Sequence, residues 1–358
     1  MGRQVQTVTG RIDAENLGPT LMHEHILSDI TGLFEPPMAA TERSRAFAPI
    51  SLENLGWIRR NYFKNHPNLI LDDLDTAIDE LKLFFQWGGG TIVELTMPGI
   101  GRDPVGIAQI ARTSGVNIVI ATGYYVAATH PSEVSQMTAD QITELMLSEF
   151  QIGVRIVHDS HDDWMERHDS TGIKAGIIKV GCTWPLVEAE KKVLIAAANA
   201  QRESGMAITI HCGRDERSPM EILDFLEEAG AEIGRVILGH LDLRVQRDEV
   251  IWELAERGCY LQFDGFGTES SFYGATPFDM PSDGQRLDRI MGLIGRGGTK
   301  QILISQDIAM KYRLRRYGGH GYHHILENVV PFMRKKMMAE EDIHQILAVN
   351  PGRVLALV

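Results

Sequence analysis

From residue 72 onward the apolar positions change period again and again, and each change marks an element. Leu74, Ala77, Ile78, Leu81 and Phe85 recur at helical spacing and stop at Gly88-Gly89-Gly90, after which Thr91–Thr96 reads as a strand. The alternation continues with a helix over 104–114 and a strand over 116–121. The capping box Thr138-x-x-Gln141 then opens a helix reaching about Phe150. A strand over 175–181, an alanine-rich helix over 186–203 and a strand over 207–212 come next. Ser218-Pro219-Met-Glu221 reads as a capping box joined to a proline at the first helical position. Strands over 236–240, 259–263 and 301–305 alternate with helical stretches, and helices around 322–336 and 340–348 end the pattern. Upstream, residues 5–8 predict a short strand that turns at Gly10, and Leu21-Met-His-Glu-His-Ile26 predicts another. Between them and residue 72 lies a long irregular stretch, 27–70, with Pro36-Pro37, Pro49 and Pro67 and a helical portion around 52–65. A connection of that length inside a compact domain is expected to be a functional loop or lid.

Counted from the His-Glu-His strand, eight strands are each followed by a helix. Such alternation implies a parallel sheet with helices outside, and eight is the number that closes a barrel. The competing doubly wound sheet calls for a glycine-rich phosphate loop after its first strand, where this chain has His23-Glu24-His25. The expected fold is α/β, a TIM (β/α)8 barrel with a long loop after the first strand, formed by residues 1–358 as one domain.

Composition narrows the partners. A formal net charge of −13 over 358 residues argues against nucleic acid or an anionic membrane surface, while leaving room for a small anionic substrate met by local arginines. Cys182, Cys212 and Cys259 contain no C-x-x-C pair, so neither a disulfide framework nor a cysteine zinc knot is expected. The start lacks the pattern of a secretory signal, and no apolar run approaches the roughly 18 residues of a membrane span. A soluble cytoplasmic protein is the expectation, with a homodimer left open.

In a barrel of this kind chemistry sits at the C-terminal ends of the strands. The polar residues there are His23 and His25 on the first strand, Lys179 on the fourth, His211 on the fifth, His240 on the sixth and Asp307 just past the eighth. Each interrupts an otherwise apolar strand. Along an extended strand His23 and His25 share a face and Glu24 points away from the barrel axis, which removes Glu24 as a ligand. Four imidazoles and a carboxylate exceed the needs of one tetrahedral zinc and suit two divalent metals sharing a bridging hydroxide. Lys179 is the odd member. Burial lowers a lysine's pKa, and the neutral amine can take up carbon dioxide to give a carbamate that bridges two metals.

The set His23-x-His25, Lys179, His211, His240 and Asp307 resembles the amidohydrolase superfamily, specifically its phosphotriesterase family. The resemblance extends through Gly18-Pro-Thr-Leu-Met-His-Glu-His25, Tyr317-Gly-Gly-His-Gly-Tyr-His-His-Ile-Leu326 and Asn350-Pro351. Gly181–Pro185, Gly258–Asp264 and Asp279-Met-Pro281 are most similar to the phosphotriesterase-related proteins, which commonly carry glutamate where this chain has Lys179. The resemblance implies that His23, His25 and Asp307 hold a buried metal and that His211 and His240 hold an outer one. Carbamylated Lys179 would lie between the two. Zinc is the first expectation, with manganese, cobalt or iron as alternatives. Asp307 would move the proton, and Tyr125 resembles a tyrosine that lactonase relatives keep beside the bridging hydroxide.

Two other histidine groups invite misreading. His158, His161 and His168 precede the fourth strand, on the opposite rim, and read as a solvated loop. His320, His323 and His324 are expected to serve loop structure and capping. Arg214, Arg217, Arg244 and Arg313 follow ligand positions and are candidate contacts for an anionic substrate, against an alternative of surface pairing with Asp215 and Glu216. The leading expectation is attack of the metal-bridging hydroxide on a small lactone or other carboxylic ester, with phosphotriesterase activity as a side reaction. The alternatives are an amidase for small N-acyl amino acids or amino sulfonates and a non-catalytic metal-containing barrel that binds a small ligand.

Overall fold

A computed structural model describes residues 2–155, 170–269 and 279–357. Eight parallel strands form one sheet in sequential order: β1 (Thr20–Glu24), β2 (Thr91–Glu94), β3 (Asn117–Tyr124), β4 (Ile177–Gly181), β5 (Ile208–His211), β6 (Val236–Gly239), β7 (Tyr260–Phe263) and β8 (Ile302–Ile304). Helices pack outside, including Leu74–Gln86, Pro104–Ser114, Ala139–Gln151, Glu188–Ser204 and Ser218–Glu228. This is the expected TIM barrel. His158, His161 and His168 lie outside the described residues.

Strand alternation divides the core in two. Ile92, Ile118, Ile178 and Leu238 point outward against the helices, while Val93, Val119, Ile177 and Ile237 fill the barrel interior. Continuing upward from the interior residues by steps of two reaches Lys179 on β4, Thr209 and His211 on β5, Gln262 and Asp264 on β7 and Ser305 and Asp307 after β8. All of these are polar, so the apolar interior gives way to a polar mouth at the C-terminal end.

The barrel closes between β1 and β8 through an unusual seam. His23 N donates to Ser305 Oγ at 2.9 Å, and Asp307 N and His25 N are tied across to His23 O and Ile308 O. The Glu24 carboxylate reinforces the join, accepting from Ser305 Oγ at 2.7 Å and from Gln306 N and Ile308 N at 2.8 Å each. Glu24 is therefore no ligand, as expected, and its side chain lies fully buried along the seam.

The long connection after β1 is pinned at its base, where Ser28–Asp29 pairs antiparallel with Ile70–Leu71. Its helix, Leu52–Arg60, starts from a capping box of Ser51 with Asn54. One expected cap is corrected. Ser218 already lies inside its helix, behind Arg217 at the cap position, and its hydroxyl accepts from Gly213 N at 2.9 Å instead of closing a box with Glu221. The Pro219 position at the start of that helix stands. All three cysteines are free and buried. Among the described residues no helix is long and apolar enough to cross a membrane.

Candidate metal centre

Strict alternation would not bring all the ligand candidates to one point. Leu21 faces the outer core and Met22 the inner one, so an unbroken β1 would send His23 outward. The pairing of β1 with β2 shifts register between Leu21 and Glu24, and this irregularity re-aims the strand end so that His23 and His25 both turn in. On β6 the same correction is made by backbone conformation. His240 has φ 59°, and Asp307 has φ 52°, both in the left-handed region that costs a non-glycine residue energy. Two candidate ligands thus sit on strained backbone that the surrounding fold holds in place.

Two groups of donor atoms converge. In the first, Asp307 Oδ1 lies 3.5 Å from His23 Nε2 and 3.3 Å from His25 Nε2. In the second, His211 Nδ1 lies 2.7 Å from His240 Nε2, and the Tyr125 hydroxyl stands 3.4 Å from the His211 ring. Lys179 Nζ lies beside the first group, 3.5 Å from His23 Nε2, with its side chain 1% exposed. Every sequence-derived ligand candidate reaches this mouth.

Asp264, at the end of β7, is the residue sequence reasoning missed. Its Oδ2 lies 2.9 Å from His23 Nδ1 and its Oδ1 2.8 Å from His240 Nδ1, so one fully buried carboxylate orients a histidine of each group. With each Nδ1–H donated to Asp264, each Nε2 turns its lone pair into the mouth. His23, His240 and Asp264 also satisfy a distance test for metal donors. Asp264, however, meets the two Nδ1 atoms behind the rings, so we assign it to orientation. Gln262 Nε2 donates to Asp264 at 2.9 Å, and Thr96 Oγ1 meets His25 Nδ1 at 2.9 Å, fixing that ring in the same way.

Protonation follows burial first. Desolvation, with Lys179 adding to it, pushes the His23 pKa down to about 4, and desolvation together with His240 holds His211 well below the usual range. Both rings are neutral at pH 7 with lone pairs to offer. Desolvation would raise the Asp307 carboxyl, but the His23, His25 and His240 rings outweigh it and keep its pKa low. Burial alone would depress His25, and the Asp307 carboxylate more than offsets this, leaving its pKa raised. Desolvation lowers the Lys179 pKa to about 8, with Asp307 and Asp264 opposing the fall. A measurable fraction of Lys179 is then neutral at physiological pH. The neutral His23 and His211 imidazoles, an ionised carboxylate and a desolvated amine form a donor set suited to divalent metal.

A cavity of about 90 Å³ opens at Asp307 and Asp264, walled by Tyr62 and Phe63 of the long connection, by Leu243 and Met280, and by Tyr312 and Arg313. Of the four arginine candidates, only Arg313 lines it. Its Nη1 and Nη2 donate to the Asp307 and Phe266 carbonyls at 3.0 and 2.9 Å, and among the described residues it closes no ion pair. Arg217 is paired with Asp215 at 2.9 Å and stacked 4.0 Å over Trp184, largely in solvent. Arg244 is buried and reaches the Cys212 carbonyl at 3.4 Å, and Arg214 is exposed. The trailing histidines are structural. His324 pairs with Asp283 at 2.7 Å and His323 with Glu327 at 3.3 Å.

Comparison with known proteins agrees with this geometry. The human N-acetyltaurine hydrolase is 41% identical over 98% of this chain and 97% of its own length. A resiniferatoxin-binding protein from Rhodobacter sphaeroides superposes with a TM-score of 0.91 at 34% identity, covering 99% of this chain and 95% of that one. The phosphotriesterase homology protein of Escherichia coli, solved with phosphate in its active site, gives a TM-score of 0.74 at 26% identity, covering 95% and 99%. The sequence pattern of the phosphotriesterase family matches residues 3–355. Seeing that match run almost from end to end, through every strand that feeds the mouth, we conclude that the chain belongs to the phosphotriesterase family.

Proposed function

We propose that this hydrolase cleaves the amide of a small N-acylated amino acid or amino sulfonate at a two-metal centre. The observation that carries the reading is Arg313: a guanidinium with no carboxylate partner among the described residues, in the wall of a cavity of about 90 Å³ that opens on Asp307. One ordered water needs roughly 10–15 Å³ of such space. The cavity therefore suits a small substrate, on the order of a short acyl group joined to a two-carbon acid. N-acetyltaurine, named for the human relative, is a molecule of this kind, an acetyl amide ending in a sulfonate. Sequence alone placed a lactone or other ester first and the amide second; the relatives named N-acetyltaurine hydrolase support putting the amide first in this proposal.

His23, His25 and Asp307 would hold one metal and His211 and His240 the other, with Lys179 between them. Zinc is the first choice, and manganese, cobalt or iron the alternatives. Two such ions would polarise the scissile carbonyl and lower the pKa of a water. The residues do the rest. Neutral Lys179 would attack the carbon of carbon dioxide, forming an N–C bond and releasing one proton, and the resulting carbamate would supply anionic oxygen donors for the metals. Asp264 fixes two rings, so the donor atoms need little rearrangement. Asp307, ionised, accepts the proton of the attacking water and delivers it to the departing nitrogen, which leaves as an amine. Tyr125 stands over the His211 side, placed to donate to the carbonyl oxygen as charge builds there.

The test is metal content followed by a panel of N-acyl amino sulfonates, N-acyl amino acids, lactones and aryl phosphotriesters. We expect two metals per chain and kcat/KM at least tenfold higher on the anionic amides than on the lactones. Two metals per chain with no turnover anywhere on the panel would overturn the catalytic reading in favour of a ligand-binding barrel.

A further inference from the structure

At the end of the barrel opposite the metal centre lies a second cavity, of about 440 Å³. It is lined by Arg3, Arg235, Lys300 and Arg353, with Tyr260 in its wall and Glu232 as its one carboxylate. A volume of that size falls within the range of small-molecule sites. Elsewhere on this acidic chain several arginines are paired with carboxylates, as in Arg217–Asp215, Arg247–Glu216, Arg257–Asp224 and Arg334–Glu340. None of the four cations at this cavity forms an ion pair with a described carboxylate.

Arg235 is the most telling of the four. It is 7% exposed, and its Nη2 is spent on three carbonyls, those of Gly205 at 2.7 Å, Val354 at 3.1 Å and Ala356 at 2.7 Å. Its Nε is buried with no partner at all. A guanidinium taken out of water against carbonyls alone carries a desolvation cost that a nearby anion would offset. Arg353 is held toward the same space by the Tyr260 hydroxyl, to which its Nε donates at 2.7 Å, and Lys300 contributes its backbone carbonyl to Arg353 while leaving its ammonium unpaired.

We infer that this cavity binds a small phosphate-bearing anion, held by Arg3, Lys300 and Arg353 around the buried Arg235. Four cations against one carboxylate ask for a dianion, and arginine's fork matches phosphate oxygens. The four residues come from four places: just before the N-terminal hairpin of Gln4–Thr7 with Gly10–Asp13, the approach to β6, the approach to β8 and the last helix, Asn350–Leu355. An anion among them joins the two ends of the chain. This rim of a TIM barrel serves stability, so the expected effect is on unfolding, with the reaction left alone.

The experiment uses the metal-loaded enzyme and an Arg3→Glu/Lys300→Glu double variant, both positions being exposed, in a thermal titration with inorganic phosphate against chloride at matched ionic strength. Phosphate also occupies the active site of the E. coli relative, and the variant separates the two sites because its metal centre is untouched. At tenfold saturation the wild-type Tm is expected to rise roughly 2 °C more than the variant's, with kcat/KM equal within twofold. Equal shifts in the two proteins, or a shift reproduced by chloride, would overturn the inference.

Discussion

The two ends of the barrel are built from the same strands and manage charge in opposite ways. At the C-terminal mouth shared carboxylates and a hydroxyl hold the histidines and the seam. Asp264 serves His23 and His240, Glu24 serves three donors across the seam, and Thr96 serves His25. At the N-terminal rim Arg3 and Lys300 stand without ion pairs, and Arg235 meets only carbonyls and leaves its Nε without a partner. A shared network spreads a deletion to its neighbours, whereas an unpaired residue can be changed with local effect only. The contrast separates where this enzyme is fragile from where it is free to vary.

Four substitutions sharpen the contrast, beginning with the largest effect. Lys179→Ala removes the proposed bridge, and kcat should fall by on the order of 10³, corresponding to the several kcal/mol that metal assistance supplies. Short carboxylic acids added to that variant should restore part of the rate. Mass spectrometry of the metal-loaded wild type should show one carbon dioxide on Lys179, and an unmodified lysine in a fully metallated enzyme would remove the carbamate from the mechanism. Next, Asp264→Asn keeps the shape but cannot accept from two imidazoles at once. A loss of roughly 10- to 100-fold in metal affinity is expected by titration against a chelator, since ring orientation is lost at both groups. If only one metal is weakened, the carboxylate does not couple the two groups.

The smallest effect compares two arginines. Arg313→Met should raise KM for anionic amides roughly tenfold, the size of a hydrogen bond to a charged group, and leave a neutral aryl ester within about twofold. Arg217→Met, whose partner is Asp215 in open solvent, should change neither value, because exposed ion pairs contribute little. Equal penalties from the two variants would mean that general positive potential, and not the cavity wall, attracts the substrate.

Much of this was legible in the sequence because of one contrast, a polar residue ending an apolar strand. That contrast found Lys179, His211, His240 and Asp307, and the alternation of periods found the barrel. Asp264, after Tyr-Leu-Gln-Phe263, shows the same contrast on the only strand of the last five left without a candidate ligand, yet the pattern alone does not give it a role. A carboxylate that meets the back of two rings has no signature of its own, because the rings come from strands far apart in the chain. The inward turn of His23 depends on a register shift and that of His240 on a left-handed backbone, and neither is written in hydrophobicity. Nor did position after a ligand tell the arginines apart. Their side chains are long enough for Arg217 to find Asp215 while Arg313 reaches the cavity wall. Ser218 shows the same limit at short range, its hydroxyl being claimed by Gly213 N before Glu221 could use it.

The β1–β8 seam has a consequence for how the enzyme is made. The two sides of the inner donor group come from near the opposite ends of the chain, His23 and its seam partner Ser305 being separated by 282 positions. On the ribosome His23 and His25 emerge early and wait through the synthesis of seven further strands before Asp307 arrives. The proposed metal centre is therefore complete only once β8 has joined β1, a contact of high sequence separation that is costly to form early. A metal bound there acts as a clasp on the completed barrel: it rewards chains that have closed and gives nothing to those released too soon.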